Sequence, residues 1–179
     1  MRKSRQDSLY SQQYIREALD HLLEENDLED ITITDICKKA GVARVTFYKY
    51  YHTIYDVMSA SVEVYVKSAI EQLSNINPQE NIQDMLTDMI AGLAESPMSL
   101  KRQINSNTHG MVLDYFIYAI DRLSQADTVF SKKLTQAEVL FIAGGIFSII
   151  TYWFKNDLHE PPESIAAMIT DVLPSAAIK

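Results

Sequence analysis

The stretch ITITDICKKAGVARVTFYKYYHTIYDVM, residues 31–58, contains two short helical patterns on either side of a glycine. Thr32 and Asp35 have the spacing of an N-terminal capping box, so a helix is predicted to begin directly after Thr32. Gly41 can take positive φ at a helix end, which predicts that this helix stops after about eight residues. A second short helix is predicted over residues 44–50. Two short helices around such a turn are typical of a helix-turn-helix.

Helical patterns continue on both sides of this stretch. Thr53 and Asp56 repeat the capping spacing, and no segment alternates convincingly with a period of two residues. The fold is therefore predicted to be all-α, with about nine helices in total. We expect a three-helix N-terminal head with a helix-turn-helix, residues 1–52, and a helical C-terminal domain for ligand binding and dimerisation, residues 53–179. The other predicted helices cover residues 8–26, 53–74, 81–95, 98–106, 108–124, 135–156 and 162–172.

Charge is distributed unevenly along the chain. The formal net charge is −8, yet Ile36 to Tyr55 contains four basic residues and no acidic residue. Residues 1–52 hold eight Lys and Arg against nine Asp and Glu, and residues 53–179 hold eight against fifteen. A basic run is often only a solvated helix face, but in a helix-turn-helix it also suits the phosphates of DNA.

Residues 32–53 offer side chains for both base edges and phosphates. Arg44 near the start of the third helix suits guanine, Thr46 suits a hydrogen bond or a thymine methyl, and Val45 suits a thymine methyl. Phe47 and Tyr51 are predicted to pack the head, whereas Tyr48 fits either the core or the DNA surface. The remaining predicted DNA contacts are Thr32, Thr34 and Lys38 on the near side and Lys49, Tyr50, His52 and Thr53 on the far side.

Metal and enzyme sites are not indicated by the sequence. The four histidines, at positions 21, 52, 109 and 159, have no metal-ligand spacing, and no glycine-rich phosphate loop or nucleophile elbow occurs. The single cysteine, Cys37, is predicted to be buried packing and excludes an internal disulfide framework. We therefore predict no cofactor, no metal and no enzymatic activity. A location in the cytoplasm is expected because no export signal is recognisable.

The segment Val139 to Phe154 is apolar nearly all round, more than one buried helix face requires. It is shorter than the roughly 20 residues that a helix needs to cross a bilayer, and Ser148 and Thr151 interrupt it, so we predict a buried helix. We predict a two-fold homodimer in which this helix and residues 162–172 form a four-helix bundle; the alternative is a wholly intramolecular core helix. The predicted interface residues are Gly144, Gly145, Phe147, Ile150, Trp153, Phe154, Ile165 and Met168.

Methionines and tyrosines recur between Val62 and Tyr118. Such side chains can line an adaptable apolar pocket, although an ordinary core is an equally good interpretation. The pocket would take a small apolar or aromatic effector. Its predicted lining residues are Tyr65, Met85, Met89, Met111, Tyr115 and Tyr118.

The pattern of the head resembles the TetR family of bacterial transcription regulators. The matching residues, in that family's order and spacing, are Thr32, Ile36, Ala40-Gly41-Val42, Thr46, Phe47-Tyr48 and Tyr50-Tyr51. The tail FIAGGIFSIITYWFKNDLHEPPESIAAMI, residues 141–169, is similar to a C-terminal domain type found on such regulators in Gram-positive bacteria. Ala43 departs from the family pattern, because a Ser or Thr usually caps the third helix there.

The resemblance implies a dimer that binds a pseudo-palindromic DNA operator, more often as a repressor than as an activator. It also implies phosphate contacts at Tyr50, His52 and Thr53, and an inducer that releases DNA by shifting the population of the two head spacings. Control by a partner protein is the main alternative to a small ligand. A small helical enzyme is a third reading, but it would require a cluster of titratable groups that the sequence does not offer.

Overall fold

A computed structural model describes residues 2–73, 78–95, 100–101, 104, 109–126 and 129–173. The described residues contain eight α-helices and a 3-10 turn over Leu28–Asp30, which confirms the predicted all-α fold. Most of the predicted helix over residues 98–106 lies outside the described residues. The helices are α1 (Arg2–Glu25), α2 (Ile33–Ala40), α3 (Arg44–Tyr50), α4 (Ile54–Leu73), α5 (Pro78–Glu95), α6 (His109–Gln125), α7 (Gln136–Lys155) and α8 (Pro162–Val172).

Local hydrogen bonds delimit α2. The Thr32 hydroxyl accepts the Asp35 N–H at 3.2 Å, and the Asp35 carboxylate accepts the Thr32 N–H at 3.0 Å, which confirms the predicted capping box. At the other end Gly41 has φ +67°, and the Val42 N–H donates to the Cys37 carbonyl at 3.0 Å. This glycine ending satisfies the last carbonyls of α2 and turns the chain towards α3.

The same capping chemistry starts α4. The Asp56 carboxylate accepts the N–H groups of His52 at 2.7 Å and of Thr53 at 2.9 Å, and the Thr53 hydroxyl accepts the Asp56 N–H. These hydrogen bonds lower the Asp56 pKa, the Thr53 N–H contributing most. By contrast, Ala43 caps α3 without a side-chain hydrogen bond, because a methyl group cannot accept one.

The chain divides into two compact units, Met1–Val64 and Tyr65–Lys179, with the division inside α4. In the first unit α1, α2 and α3 pack against one another. Ile15, Ile36 and Phe47 are completely buried there, and Cys37 is also buried, as predicted. Because α3 is short, this packing rather than its own helix propensity holds it in place.

The second unit is built around two apolar clusters. One lies between α6 and α7 and includes Ile120, Val139 and Ile142. The other joins α5, α7 and α8. The Trp153 ring lies in this second cluster with 1% of its surface exposed, and its indole N–H donates to the Glu160 carbonyl at 2.7 Å. Both clusters use α7, so this helix organises the whole unit.

Helix α7 is long and apolar enough, by length and composition alone, to cross a membrane. Its 20 residues exceed the apolar run that the sequence suggested, so length by itself does not exclude a span. Ile142, Ala143, Ile150 and Phe154 nevertheless pack into the two clusters. One side of α7 therefore forms part of the core of the second unit.

A cap that the sequence analysis did not identify starts α7 and carries a pH prediction. Glu138 accepts hydrogen bonds from Lys132 Nζ at 2.7 Å and from the Thr135 N–H at 2.8 Å. These contacts, the Lys132 bond first, lower the Glu138 pKa from 4.5 to about 2. A lowered folded-state pKa gives stability above the ordinary value that is lost as pH falls through the folded value. Stability should therefore decline between pH 4.5 and about 2.

Glu138→Gln should reduce this acid-dependent loss, which can be measured as the denaturation midpoint at each pH. Glu63→Gln, at an exposed position on α4, is the matched control and should retain the wild-type profile. An identical pH profile for wild type and Glu138→Gln would show that this cap does not contribute to acid sensitivity.

Candidate nucleic-acid interface

Helix α3 separates a buried face from an exposed one. Phe47 is fully buried and Tyr51 nearly so, and the Tyr51 hydroxyl accepts a hydrogen bond from the Arg16 guanidinium at 3.5 Å. Both predictions of core packing are therefore confirmed. The Val45 side chain on the opposite face is 78% exposed, although apolar. An exposed apolar side chain next to Arg44 in the sequence suits contact with a thymine methyl.

Tyr48 belongs to the exposed face, with 43% of its surface accessible. The sequence left two roles open for Tyr48, core packing and a place on the DNA surface, and core packing is wrong. Its ring meets the buried Phe47 ring edge-on, with centroids 5.6 Å apart. Its hydroxyl accepts a hydrogen bond from Arg44 Nη2 at 3.2 Å, and the Arg44 Cζ lies 5.8 Å from the ring centroid. Arg44 and Tyr48 therefore form one exposed pair.

Tyr50 and Lys49 form a second group at the end of α3, in which Lys49 is exposed and Tyr50 is half-buried. The Lys49 ammonium lies 5.1 Å from the Tyr50 ring centroid. The pKa of Tyr50 is lowered by a hydrogen bond with Ser8 of α1 and, to a smaller extent, by Lys49. The contact with Ser8 holds the Tyr50 hydroxyl near the N-terminal part of α1. A hydroxyl and an ammonium are then available together for a phosphate.

The other predicted contact residues lie around α3. Thr32, Thr34 and Lys38 are exposed on α2 and its cap, and His52 and Thr53 are exposed in the turn before α4, whereas Thr46 is half-buried. The carboxylate of Asp35 borders this surface and accepts hydrogen bonds from Thr32, which lower its pKa. The structure thus brings all eleven predicted residues into a single small unit. Whether they touch DNA stays a prediction.

Comparison with known families identifies the chain. A family model for TetR-type proteins, described as "Transcriptional regulator C-terminal region", matches residues 80–175, which is more than half of the sequence. The chain belongs to the TetR family of transcriptional regulators. The resemblance noted in the head and the tail is therefore confirmed at the level of the family.

Solved structures of transcriptional regulators share the fold. A TetR transcriptional regulator from Streptococcus agalactiae is 17% identical, with a TM-score of 0.64 over 96% of this chain and 98% of that one. NalD, the secondary repressor of the MexAB-OprM multidrug efflux pump in Pseudomonas aeruginosa, is 14% identical, with a TM-score of 0.57 over 97% and 98%. DhaS, an activator of a dihydroxyacetone kinase operon, is 19% identical, with a TM-score of 0.58 over 91% and 93%.

These similarities concern the fold alone, and one neighbour is a repressor while another is an activator. The shared fold therefore does not determine the direction of regulation. A search of curated protein sequences found no significant match.

Four residues predicted for the subunit interface of this TetR protein need correction. Ile150, Trp153, Phe154 and Ile165 each expose 1% or less of their surface within a single chain. They fill the cluster between α5, α7 and α8, so they have no surface left for a second subunit. The predicted alternative, an intramolecular core, holds for this side of α7. Phe147 also packs inward, against the Phe116 ring of α6.

The opposite side of α7 carries the accessible apolar residues. Leu140, Phe141 and Tyr152 are all exposed, and Phe141 has 73% of its surface accessible. Gly144 and Gly145 lie on the same side, where an added Cβ would meet no atom within 4 Å. Met168 and Val172 of α8 are exposed as well. We call these seven residues the α7–α8 face.

Sequence reasoning missed Leu140, Phe141, Tyr152 and Val172 of the α7–α8 face. The helix is apolar on every side, so its sequence contains no polar stripe to distinguish its solvent face from its core face. The pair of glycines was the one available signal, and it lies on the side of α7 that carries the exposed apolar residues.

Three of the predicted pocket residues are half-buried and three are exposed. Met85 packs partly buried against the cluster of α6 and α7, and Met111 and Tyr115 are half-buried on α6. Tyr65, Met89 and Tyr118 are exposed, Tyr65 by 65%. Such exposure does not suit the wall of a closed apolar cavity. The effector pocket stays a prediction.

Proposed function

We propose that this TetR protein is a homodimeric, cytoplasmic repressor that binds a pseudo-palindromic DNA operator through α3. The observation that carries the proposal is the exposed face of α3, which presents Arg44, Val45, Tyr48 and Lys49. No acidic residue interrupts the sequence from Ile36 to Tyr55. A short helix with this chemistry can enter the major groove, while the threonines and lysines around it bind phosphates.

A second copy is the proposed cover of the α7–α8 face. Large exposed apolar residues on a helix end up against water unless another surface excludes it. The open space at Gly144 and Gly145 allows a second helix to approach closely. Pairing of α7 and α8 with the same helices of a partner would give a four-helix bundle with a two-fold axis. Two heads would then contact two half-sites of DNA.

Phe141→Glu should abolish this dimer without unfolding the subunit. Phe141 is exposed within the chain, so the substitution costs little in the monomer, but it would bury an unpaired charge at the interface. Analytical ultracentrifugation should find a dimer for the wild type and a monomer for the variant. Tyr14→Glu, at an exposed aromatic on α1, is the control and should remain dimeric. A dimeric Phe141→Glu protein would place the subunit contact elsewhere.

The proposed function is tested by binding of the full-length protein to duplex DNA selected from a random library. A dimer making roughly six phosphate contacts should bind with a log-log salt slope of about −5. The selected sequences should be pseudo-palindromic, with two subunits bound per site. Failure to enrich any sequence at low salt would contradict operator recognition. Placing the selected site next to a promoter in a reporter then determines the sign, since repression and activation change expression in opposite directions.

The proposed regulatory input is a small apolar or aromatic effector bound in the second unit. Half-buried Met85 on α5 and half-buried Met111 and Tyr115 on α6 are the proposed contacts. A partner protein is the second candidate, and the exposure of Tyr65, Met89 and Tyr118 favours it because an open apolar surface suits a protein better than a small ligand. An effector should raise the melting temperature and release operator DNA over the same concentration range. A partner protein should form a stable complex that contains the regulator.

A further inference from the structure

Arg44 and Tyr48 contact each other on the exposed face of α3. They are four residues apart on α3, so their side chains lie on the same helix face. Arg44 Nη2 donates to the Tyr48 hydroxyl at 3.2 Å, and the guanidinium carbon is 5.8 Å from the Tyr48 ring centroid. A long, exposed arginine is otherwise free to adopt many rotamers. The tyrosine thus restricts the direction of this side chain.

The restriction is anchored in the core of the head. The Tyr48 ring packs edge-on against Phe47, which is completely buried. Phe47 also contacts the ring of the buried Tyr51, at 5.9 Å between centroids. The Tyr48 ring is therefore held by the core on one side and holds Arg44 on the other. The packing of the head therefore sets the position of the exposed Arg44 guanidinium.

The hydrogen bond with Tyr48 leaves the remaining N–H donors of Arg44 available. A guanidinium has several N–H donors, and only one is given to Tyr48. The others can still form the paired hydrogen bonds that guanine O6 and N7 accept in the major groove.

We propose that Tyr48 is a positioning residue that orients the Arg44 guanidinium, so that the two side chains together select a guanine in each half-site. The inference rests on the proposed DNA-binding function. It adds that Arg44 and Tyr48 together determine the preference at one base pair. Binding must restrict the arginine rotamers, and a side chain that is already oriented loses less freedom. Removal of the Tyr48 hydroxyl should therefore weaken the guanine preference by about threefold to tenfold per half-site.

The test is selection of duplex DNA from a random library by full-length wild type, Arg44→Ala, Tyr48→Phe and the double variant. Tyr48→Phe keeps the ring on Phe47 and removes only the hydroxyl. We expect Arg44→Ala and Tyr48→Phe to relax the preference at the same base pair. The double variant should be no worse there than Arg44→Ala alone, because the hydroxyl acts through the arginine. Tyr14→Phe, at a similarly exposed tyrosine of α1, is the control and should keep the wild-type preference.

A phosphate-contacting tyrosine would behave differently. Tyr48→Phe would then weaken selected and unrelated duplexes equally, its effect would add to that of Arg44→Ala, and the guanine preference would persist; that result overturns the proposal. Relaxation at a different base pair would overturn it as well. If the wild type itself selects no sequence, the proposed operator function fails, and this outcome is recognisable before any variant is compared.

Discussion

Trp153→Ala is expected to lower the free energy of unfolding by about 3–5 kcal/mol. The indole is 1% exposed and packs against Phe154, with ring centroids 5.6 Å apart, in the cluster formed by α5, α7 and α8. Alanine would leave a cavity that the surrounding helices cannot close completely. It would also leave the Glu160 carbonyl without the indole N–H that it accepts at 2.7 Å. Chemical denaturation of the purified protein measures the loss.

Protein concentration distinguishes this effect from an effect on the dimer. Dimerisation raises apparent stability by mass action, so loss of a subunit contact depends on concentration. The loss in Trp153→Ala should be the same at every concentration, because the residue lies inside one subunit. Phe141→Ala, an exposed aromatic on the same helix, is the matched control and should lose stability in a concentration-dependent manner. A fully stable Trp153→Ala protein would contradict the core described above.

Arg44→Ala should produce the largest loss of specific DNA binding. One arginine that pairs with guanine contributes about 1–3 kcal/mol of base discrimination. A symmetric dimer presents two such arginines, so the expected loss is about 2–6 kcal/mol for the selected site if the half-sites act independently. Binding to unrelated duplexes should change far less. The decisive quantity is the difference in binding free energy between the selected site and an unrelated duplex. Fluorescence anisotropy titrations at one salt concentration measure it.

Lys49→Ala and Lys67→Ala complete this comparison. Lys49 lies on α3 beside Tyr50 and is expected to bind a phosphate, so its removal should weaken all duplexes and reduce the salt slope by about 2 per dimer. Lys67 is exposed on α4 in the second unit, and its removal should leave both quantities unchanged. Equal binding by the Arg44→Ala and Lys67→Ala proteins would show that Arg44 does not read the operator.

Parts of the fold were predictable to within a residue or two. The helix boundaries at Thr32, Gly41 and Thr53 depend on hydrogen bonds between residues at most five positions apart, so their sequence contains the whole interaction. The beginning of α1 was less predictable. The helix starts at Arg2 rather than near residue 8, because its first residues are polar and have no apolar period that would reveal it.

The sequence by itself determined the all-α fold, the helix-turn-helix and the basic stretch without acidic residues from Ile36 to Tyr55, since these follow from local spacing and composition. Only the tertiary structure decided which side of α7 is core, that Tyr48 is exposed and bound to Arg44, and that Trp153 belongs inside one subunit. The physical reason is the same in each case. An aromatic or apolar side chain gains by burial against any apolar neighbour, and its neighbours come from helices distant in sequence, whose positions no local pattern contains.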